Sequence, residues 1–167
     1  MRIPSILLMS MLILAGCAII CKPKPIDIVA TSVNDFLERP FGHEETPEAF
    51  RASLPDRTHT QKLIHRVGED IQTADTIYYF KYRKSKIATY VTQQGQTFVI
   101  GGHVVNHLIP LVNGIRIGMD RERFHSAFTD LPQSNSDTIK LVHPTSERTF
   151  NFYFSKNKIY RYTFSGE

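Results

Sequence analysis

The sequence predicts an α+β domain. Two tandem units, each a short helix followed by three or four strands, are expected to form one antiparallel sheet with the helices on one face. Three observations carry that expectation. Two aromatic segments, 79–90 and 151–162, line up at Phe80/Phe152, Lys84/Lys156, Lys86/Lys158, Ile87/Ile159 and Tyr90/Tyr162. A shorter strand-like run precedes each segment, and a capped amphipathic stretch precedes that. Finally, 167 residues with 41% hydrophobic and 22% charged content suit one folded domain.

The N-terminus reads as an address. Arg2 precedes an apolar run over residues 6–14, closed by Leu14-Ala15-Gly16-Cys17. A short cationic end, a short apolar stretch and small residues before a cut are the parts of a secretory signal. The closing four residues resemble the lipobox of bacterial lipoproteins. That resemblance implies a signal peptide over 1–16, acylation of Cys17, and a lipidated N-terminus and tether over 17–30. Membrane lipid is then a partner through the acyl anchor. Ala18, where Asp would favour inner-membrane retention in Gram-negative lipoproteins, implies the outer membrane. An uncleaved helix over 3–21 is the competing reading, since that stretch is just long enough to span a bilayer. Lys22-Pro23-Lys24-Pro25 makes a stiff, extended spacer. Cys17 and Cys21 both lie here, so no disulfide framework holds the fold.

Residues 31–167 are expected to be the single domain, with one repeat over about 40–95 and a second over about 113–167. A short helix over 32–39 leads in. The next helix has Thr46 as N-cap, Pro47 in its first turn, and Phe50 and Leu54 four apart. A strand over 62–65 follows, then a hairpin over 79–90 turning at Lys84-Ser85. Runs over 97–101 and 103–109 read as one or two more strands, with Gly101-Gly102 marking a bulge or bend. The second helix has Asp120 as N-cap, with Phe124 and Phe128 four apart, and stops near Leu131-Pro132. A strand over 140–143 leads to the second hairpin, 151–162, turning at Lys156-Asn157. A glycine precedes each helix, in Phe41-Gly42 and Ile117-Gly118.

The run Asn113-Gly114-Ile115-Arg116-Ile117-Gly118-Met119-Asp120-Arg121-Glu122 resembles the "GIxIGM(S/T)xEE" signature of the β-lactamase-inhibitor-like superfamily of tandem-repeat bacterial lipoproteins. That group includes small lipoproteins of outer-membrane assembly and uncharacterised Bacteroidetes lipoproteins. The first unit, at Phe41-Gly42-His43, matches only in layout. The resemblance implies the scaffold, an envelope location, and structural roles for Ile117 and Met119 in seating the second helix. It informs activity less, because many functions share the scaffold.

Hairpin register sorts the side chains. A two-residue turn at Lys156-Asn157 opposes Phe154/Ile159, Tyr153/Tyr160, Phe152/Arg161 and Asn151/Tyr162, and opposed residues share a face. Phe150, Phe152, Phe154 and Ile159 then form a core face. Asn151, Tyr153, Tyr160 and Tyr162 lie on the other. The first hairpin sorts alike, with Phe80, Tyr82 and Ile87 inward and Tyr79, Lys81, Ala88 and Tyr90 outward. Five of the seven tyrosines, Tyr79, Tyr90, Tyr153, Tyr160 and Tyr162, thus fall on a face the helices should leave open. Tyrosine offers a large contact area with a polar tip, and it is enriched in recognition surfaces. The same residues also simply suit half-exposed strands.

Catalytic chemistry finds little support. There is no P-loop, GxGxxG or GxSxG. His103 and His107, on one strand, would stand about 13 Å apart, too far to share an ion. Glu44-Glu45 and Glu69-Asp70 read as loop or cap residues, the former favourable near a helix N-terminus. No catalytic residue, metal site or cofactor is expected. The formal charge of +4, spread along the chain, does not argue for nucleic acid. The expectation is a membrane-anchored, non-enzymatic module that binds a protein partner through Tyr79, Tyr90, Asn151, Tyr153, Tyr160 and Tyr162. An inhibitor or immunity-type protein against a secreted hydrolase is one alternative. A small hydrolase or metal-dependent enzyme is the other.

Overall fold

Side-chain caps begin the first two helices of the computed structural model, which describes residues 29–66 and 74–166. α1 (Val33–Glu38) starts at Ser32, whose hydroxyl accepts from the Asp35 N–H at 3.0 Å. α2 (Pro47–Ser53) starts at Thr46, whose hydroxyl accepts from the Ala49 N–H at 3.2 Å, with Pro47 in the first turn as expected. α3 (Arg121–Ser126) follows Asp120, but that carboxylate makes no capping bond. It faces the Lys158 ammonium at 3.4 Å, while the Arg121 N–H is taken by the Asn157 carbonyl at 2.8 Å. Phe128 lies beyond the end of this helix.

The strands are β1 (His59–Arg66), β2 (Ala74–Tyr82), β3 (Ser85–Val91), β4 (Thr97–Val104), β5 (Thr138–Val142), β6 (Thr149–Ser155) and β7 (Lys158–Ser165). They form one antiparallel sheet in the order β1-β2-β3-β4-β7-β6-β5. β1–β2–β3 and β5–β6–β7 are meanders, and β4 joins them by pairing with both β3 and β7. The architecture is therefore α+β.

Register departs from the sequence expectation in two places. The first hairpin turns at Arg83-Lys84, because Tyr82 pairs with Ser85. The shift moves each partner by two residues, so side chains keep their faces and only their opposites change. In the second hairpin Phe154 pairs with Ile159 as expected, but a bulge follows. Tyr153 then pairs with Arg161, Phe152 with Tyr162, and Asn151 with Thr163. Tyr160 is the extra residue. Beyond it every β7 side chain changes face, and Tyr162 turns inward.

β4 carries the other bulge, where Gly101 pairs with Ala88 but Val99 pairs with Thr89. The glycines are required by close approach. A Cβ on Gly102 would lie 2.4 Å from the Phe164 ring, and one on Gly101 would lie 2.7 Å from the Phe164 carbonyl oxygen. β4 ends at Val104, so His107 lies past the strand rather than on it.

The core is an aromatic layer between helices and sheet. Phe36 of α1 meets Phe150 edge-on at 5.3 Å, Phe50 of α2 meets Phe80 at 5.8 Å, and Phe124 of α3 meets Phe152 at 4.7 Å. All six rings are buried, and each contributes about 1.5–3 kcal/mol by leaving water. Arg148 staples the layer at its rim. Its guanidinium grips the Glu45 carboxylate at 2.7 and 3.0 Å and donates to the Leu37 carbonyl at 3.0 Å. Glu45 is thus a structural partner. The expected Glu69-Asp70 pair lies outside the described residues.

Candidate functional site

The sheet face opposite the helices is built by strand alternation and crossed by rows of side chains. Lys81, Lys86, His103, Thr163, Asn151 and Lys140 are successive register partners across β2, β3, β4, β7, β6 and β5. The four charged or imidazole members of that row are exposed, and Asn151 and Thr163 are half-buried. Beside the row stand Tyr79, which pairs with Ala88, and Tyr153, which pairs with Arg161.

Sequence reasoning placed five tyrosines here, and the structure brings four of them to this face. Tyr160 is 47% exposed, and Tyr79, Tyr90 and Tyr153 are half-buried. Tyr153 and Tyr160 lie together, ring centroids 6.4 Å apart. Tyr162 does not belong to the surface. It is fully buried against Phe152, and its hydroxyl donates to the Ile109 carbonyl at 2.9 Å. Burial pushes its phenol well above the usual tyrosine range. The bulge at Tyr160 is the physical cause of the difference.

Three of these four tyrosines, Tyr79, Tyr153 and Tyr160, carry a cation near the ring. Lys86 Nζ sits 4.0 Å above the Tyr79 ring, and the Arg161 guanidinium lies 3.9 Å above Tyr153 and 5.7 Å from Tyr160. The ring quadrupole attracts each cation and holds it in place. Lys81 is oriented differently, donating to Gln61 Oε1 at 3.0 Å. Arg161 was not singled out by the sequence as a site residue of this face. The signal that would have found it is the bulge, which alternation alone does not reveal.

Acid is scarce on this face. Among its described strand residues the one carboxylate is Asp75, and it is engaged by the Tyr90 hydroxyl and the Gln93 N–H. The hydrogen bond to Asp75 raises the Tyr90 pKa, because ionising the phenol would lose it beside a carboxylate. In the middle of the face lies a shallow hollow of about 280 Å³, floored by Ala88 and Gly101 and walled by Lys86, Ile100 and His103.

Two cavities lie away from this face. One of about 660 Å³ is lined by Glu38, His43 and Glu44 with the stapled Glu45. Another of about 330 Å³ lies among His107, Arg116, Asp120 and Arg123, around the sequence-singled-out Gly114 and Gly118. Asp120 there already faces Lys158. Among the described residues no group of three His, Cys, Asp or Glu side chains is placed to share a metal ion. No described helix is long and apolar enough to cross a membrane. Cys17 lies outside the described residues. Comparison of the chain with family models, characterised proteins and solved structures gives no match in any of the three.

Proposed function

We propose that this chain is a lipoprotein of the cell envelope, held in the outer membrane through acylated Cys17, that binds a protein partner without catalysing a reaction. The open sheet face is its working surface, through Tyr79, Tyr90, Asn151, Tyr153 and Tyr160. We also propose that the two meanders, each preceded by a short helix, are tandem units of the β-lactamase-inhibitor-like kind. The observation that carries the functional reading is the open face itself. It is a whole side of a seven-stranded sheet, lined with half-exposed tyrosines and cations, that the helices leave uncovered.

Tyrosine suits such a role because its ring adds contact area while its few side-chain torsions cost little entropy on ordering. The experiment is site-specific crosslinking in the membrane fraction, with probes at Tyr153 and Tyr160 compared with probes at the turn residues Lys84 and Lys156. One partner captured from the tyrosine positions supports the reading. Capture only from the turns, or none, rejects it. A Cys17→Ala variant run alongside is expected to leave the membrane fraction, and its retention there would reject the acyl anchor. The inhibitor reading uses the same face and differs in the captured partner, which would be a secreted hydrolase.

A further inference from the structure

We propose that the open face takes a carboxylate-rich protein segment laid across the strands, along the row from Lys81 to Lys140. This rests on the reading of that face as a binding surface and adds the chemistry of what it binds. The row crosses five strand spacings, about 24 Å, which matches roughly seven residues of extended chain.

Three features define the chemistry. The first is charge without counter-charge. Among the described residues no carboxylate pairs with Lys81, Lys86, Lys140 or Arg161, and the one acid on the strands of the face is already engaged by Tyr90 and Gln93. A surface that collects cations and whose one strand acid is already engaged is complementary to an acidic partner. The second is pre-organisation. Lys86 and Arg161 are seated on tyrosine rings, so less side-chain freedom is lost when a carboxylate arrives. Arg161 Nε is buried with no hydrogen-bond partner, which leaves the guanidinium short of an acceptor. The third is shape. The hollow beside Lys86 and His103 gives side-chain room at the middle of the row, where Thr163 and Asn151 add neutral donors.

The same features separate a protein segment from a nucleic acid strand. Single-stranded nucleic acid binds basic sheet faces by stacking bases on open aromatic rings. Here the faces of Tyr79 and Tyr153 are occupied by Lys86 and Arg161, so the tyrosines serve as pedestals for cations. A flat anionic membrane would be met by a two-dimensional spread of charge, whereas Lys81, Lys86 and Lys140 here follow one line, with Arg161 beside it and hydrogen-bonding side chains between them.

The test measures binding of the full chain to four probes at low salt. They are a fluorescent nonapeptide of alternating Glu and Gly, its Gln/Gly counterpart, a nine-nucleotide oligothymidine, and vesicles containing phosphatidylglycerol. The Glu peptide is expected to bind, to weaken as salt is raised, and to bind at least tenfold more weakly to a K86Q/R161Q variant whose thermal midpoint is unchanged. A K84Q/K156Q variant, altered only at the hairpin turns, is expected to bind as the parent does. The Gln peptide is expected not to bind. The proposal is overturned if the Glu peptide fails to bind, if K86Q/R161Q binds it undiminished, or if oligothymidine or vesicles compete at that same pair more strongly than the peptide. Crosslinks from Tyr153 and Tyr160 to one partner, together with failure of the Glu peptide, would leave the binding surface standing and remove its acidic preference.

Discussion

Tyr90 and Tyr162 occupy matching places in two hairpins of similar sequence, yet one faces solvent and the other the core. In β2–β3 alternation runs unbroken from Tyr82/Ser85 to Thr76/Val91, so Tyr90 stays on the open face with its hydroxyl on Asp75. In β6–β7 the extra Tyr160 reverses the faces of everything after it, and Tyr162 enters the core with its hydroxyl on the Ile109 carbonyl. Both phenols are shifted up, Tyr90 first by its hydrogen bond and Tyr162 by burial. The difference teaches that one inserted residue moves a side chain between recognition surface and core. The fold accepts this because tyrosine carries both an apolar body and a polar tip that can be satisfied in either place.

The bulge also thickens one half of the core, and that is where the largest effect is expected. Phe80 and Phe152 hold equivalent positions and are both buried. Phe152 packs among Phe36, Phe124, Phe150 and the inward Tyr162, whereas the ring neighbour of Phe80 is Phe50. Truncation of a buried Phe to Ala costs about 3–5 kcal/mol, and edge and stacked ring pairs add to what is lost. Phe152→Ala is therefore expected near about 5 kcal/mol and Phe80→Ala near about 3 kcal/mol. Urea denaturation of the two variants gives both values. Equal losses would mean that the inward turn of Tyr162 adds nothing to the packing.

The tyrosines themselves give the next effect. Tyr162→Phe leaves the Ile109 carbonyl without its donor in a buried place and is expected to cost about 1–2 kcal/mol. Tyr90→Phe removes a hydrogen bond at the surface, where water replaces the lost partner, and is expected to cost less than Tyr162→Phe. Alkaline pH separates them further. Below pH about 10, the ordinary tyrosine value, folded and unfolded chains both hold the Tyr162 proton. Above it the unfolded chain releases that proton while the folded chain keeps it, so stability falls as pH rises. One such tyrosine contributes a slope of up to about 1.4 kcal/mol per pH unit. Denaturation midpoints measured between pH 9 and 11 should fall less steeply in Tyr162→Phe than in the parent. Parallel curves would place the Tyr162 hydroxyl in solvent and undo the contrast with Tyr90.

Much of this arrangement was legible in the sequence, and what was not has local causes. The cap at Thr46, the inward Phe80, Phe150, Phe152 and Phe154, and the bend at Gly101-Gly102 all follow from residue chemistry. The turn at Lys156-Asn157 is marked by an asparagine, and both of its residues adopt positive φ. The turn at Arg83-Lys84 carries no such mark. Arg83 takes φ 52° without glycine or asparagine, which is why the neighbouring Lys84-Ser85 reads as the better turn. The bulge is hidden for a different reason. Tyr160 and Tyr162 are two residues apart, so strict alternation puts both on one face, and neither residue type marks the break between them. Only the wider sheet, in which Tyr162 stands beside Val104 of β4, decides between them. The cations seated on Tyr79 and Tyr153 depend on that decision too, since an unbulged β7 would point Arg161 toward the helices.

A small expected effect is also the sharpest probe of the comparison. Deleting Tyr160 removes the extra residue and lets Tyr153/Arg161 follow Phe154/Ile159 directly, as in the unbroken β2–β3 hairpin. If the bulge is a local accommodation, the shortened β7 keeps Ile159, Tyr162 and Phe164 inward and Arg161 on Tyr153. What is lost is one half-exposed ring beside Tyr153 and Arg161. The cost is then about 1 kcal/mol, or ~2–4 °C in thermal midpoint for a domain of this size. The alkaline slope assigned to Tyr162 should survive the deletion. A loss of ~3 kcal/mol or more, or a Tyr162 phenol that titrates near the ordinary value of about 10, would show that the bulge sets the inward register itself. The difference between the hairpins would then reside in Tyr160 rather than in the sheet around it.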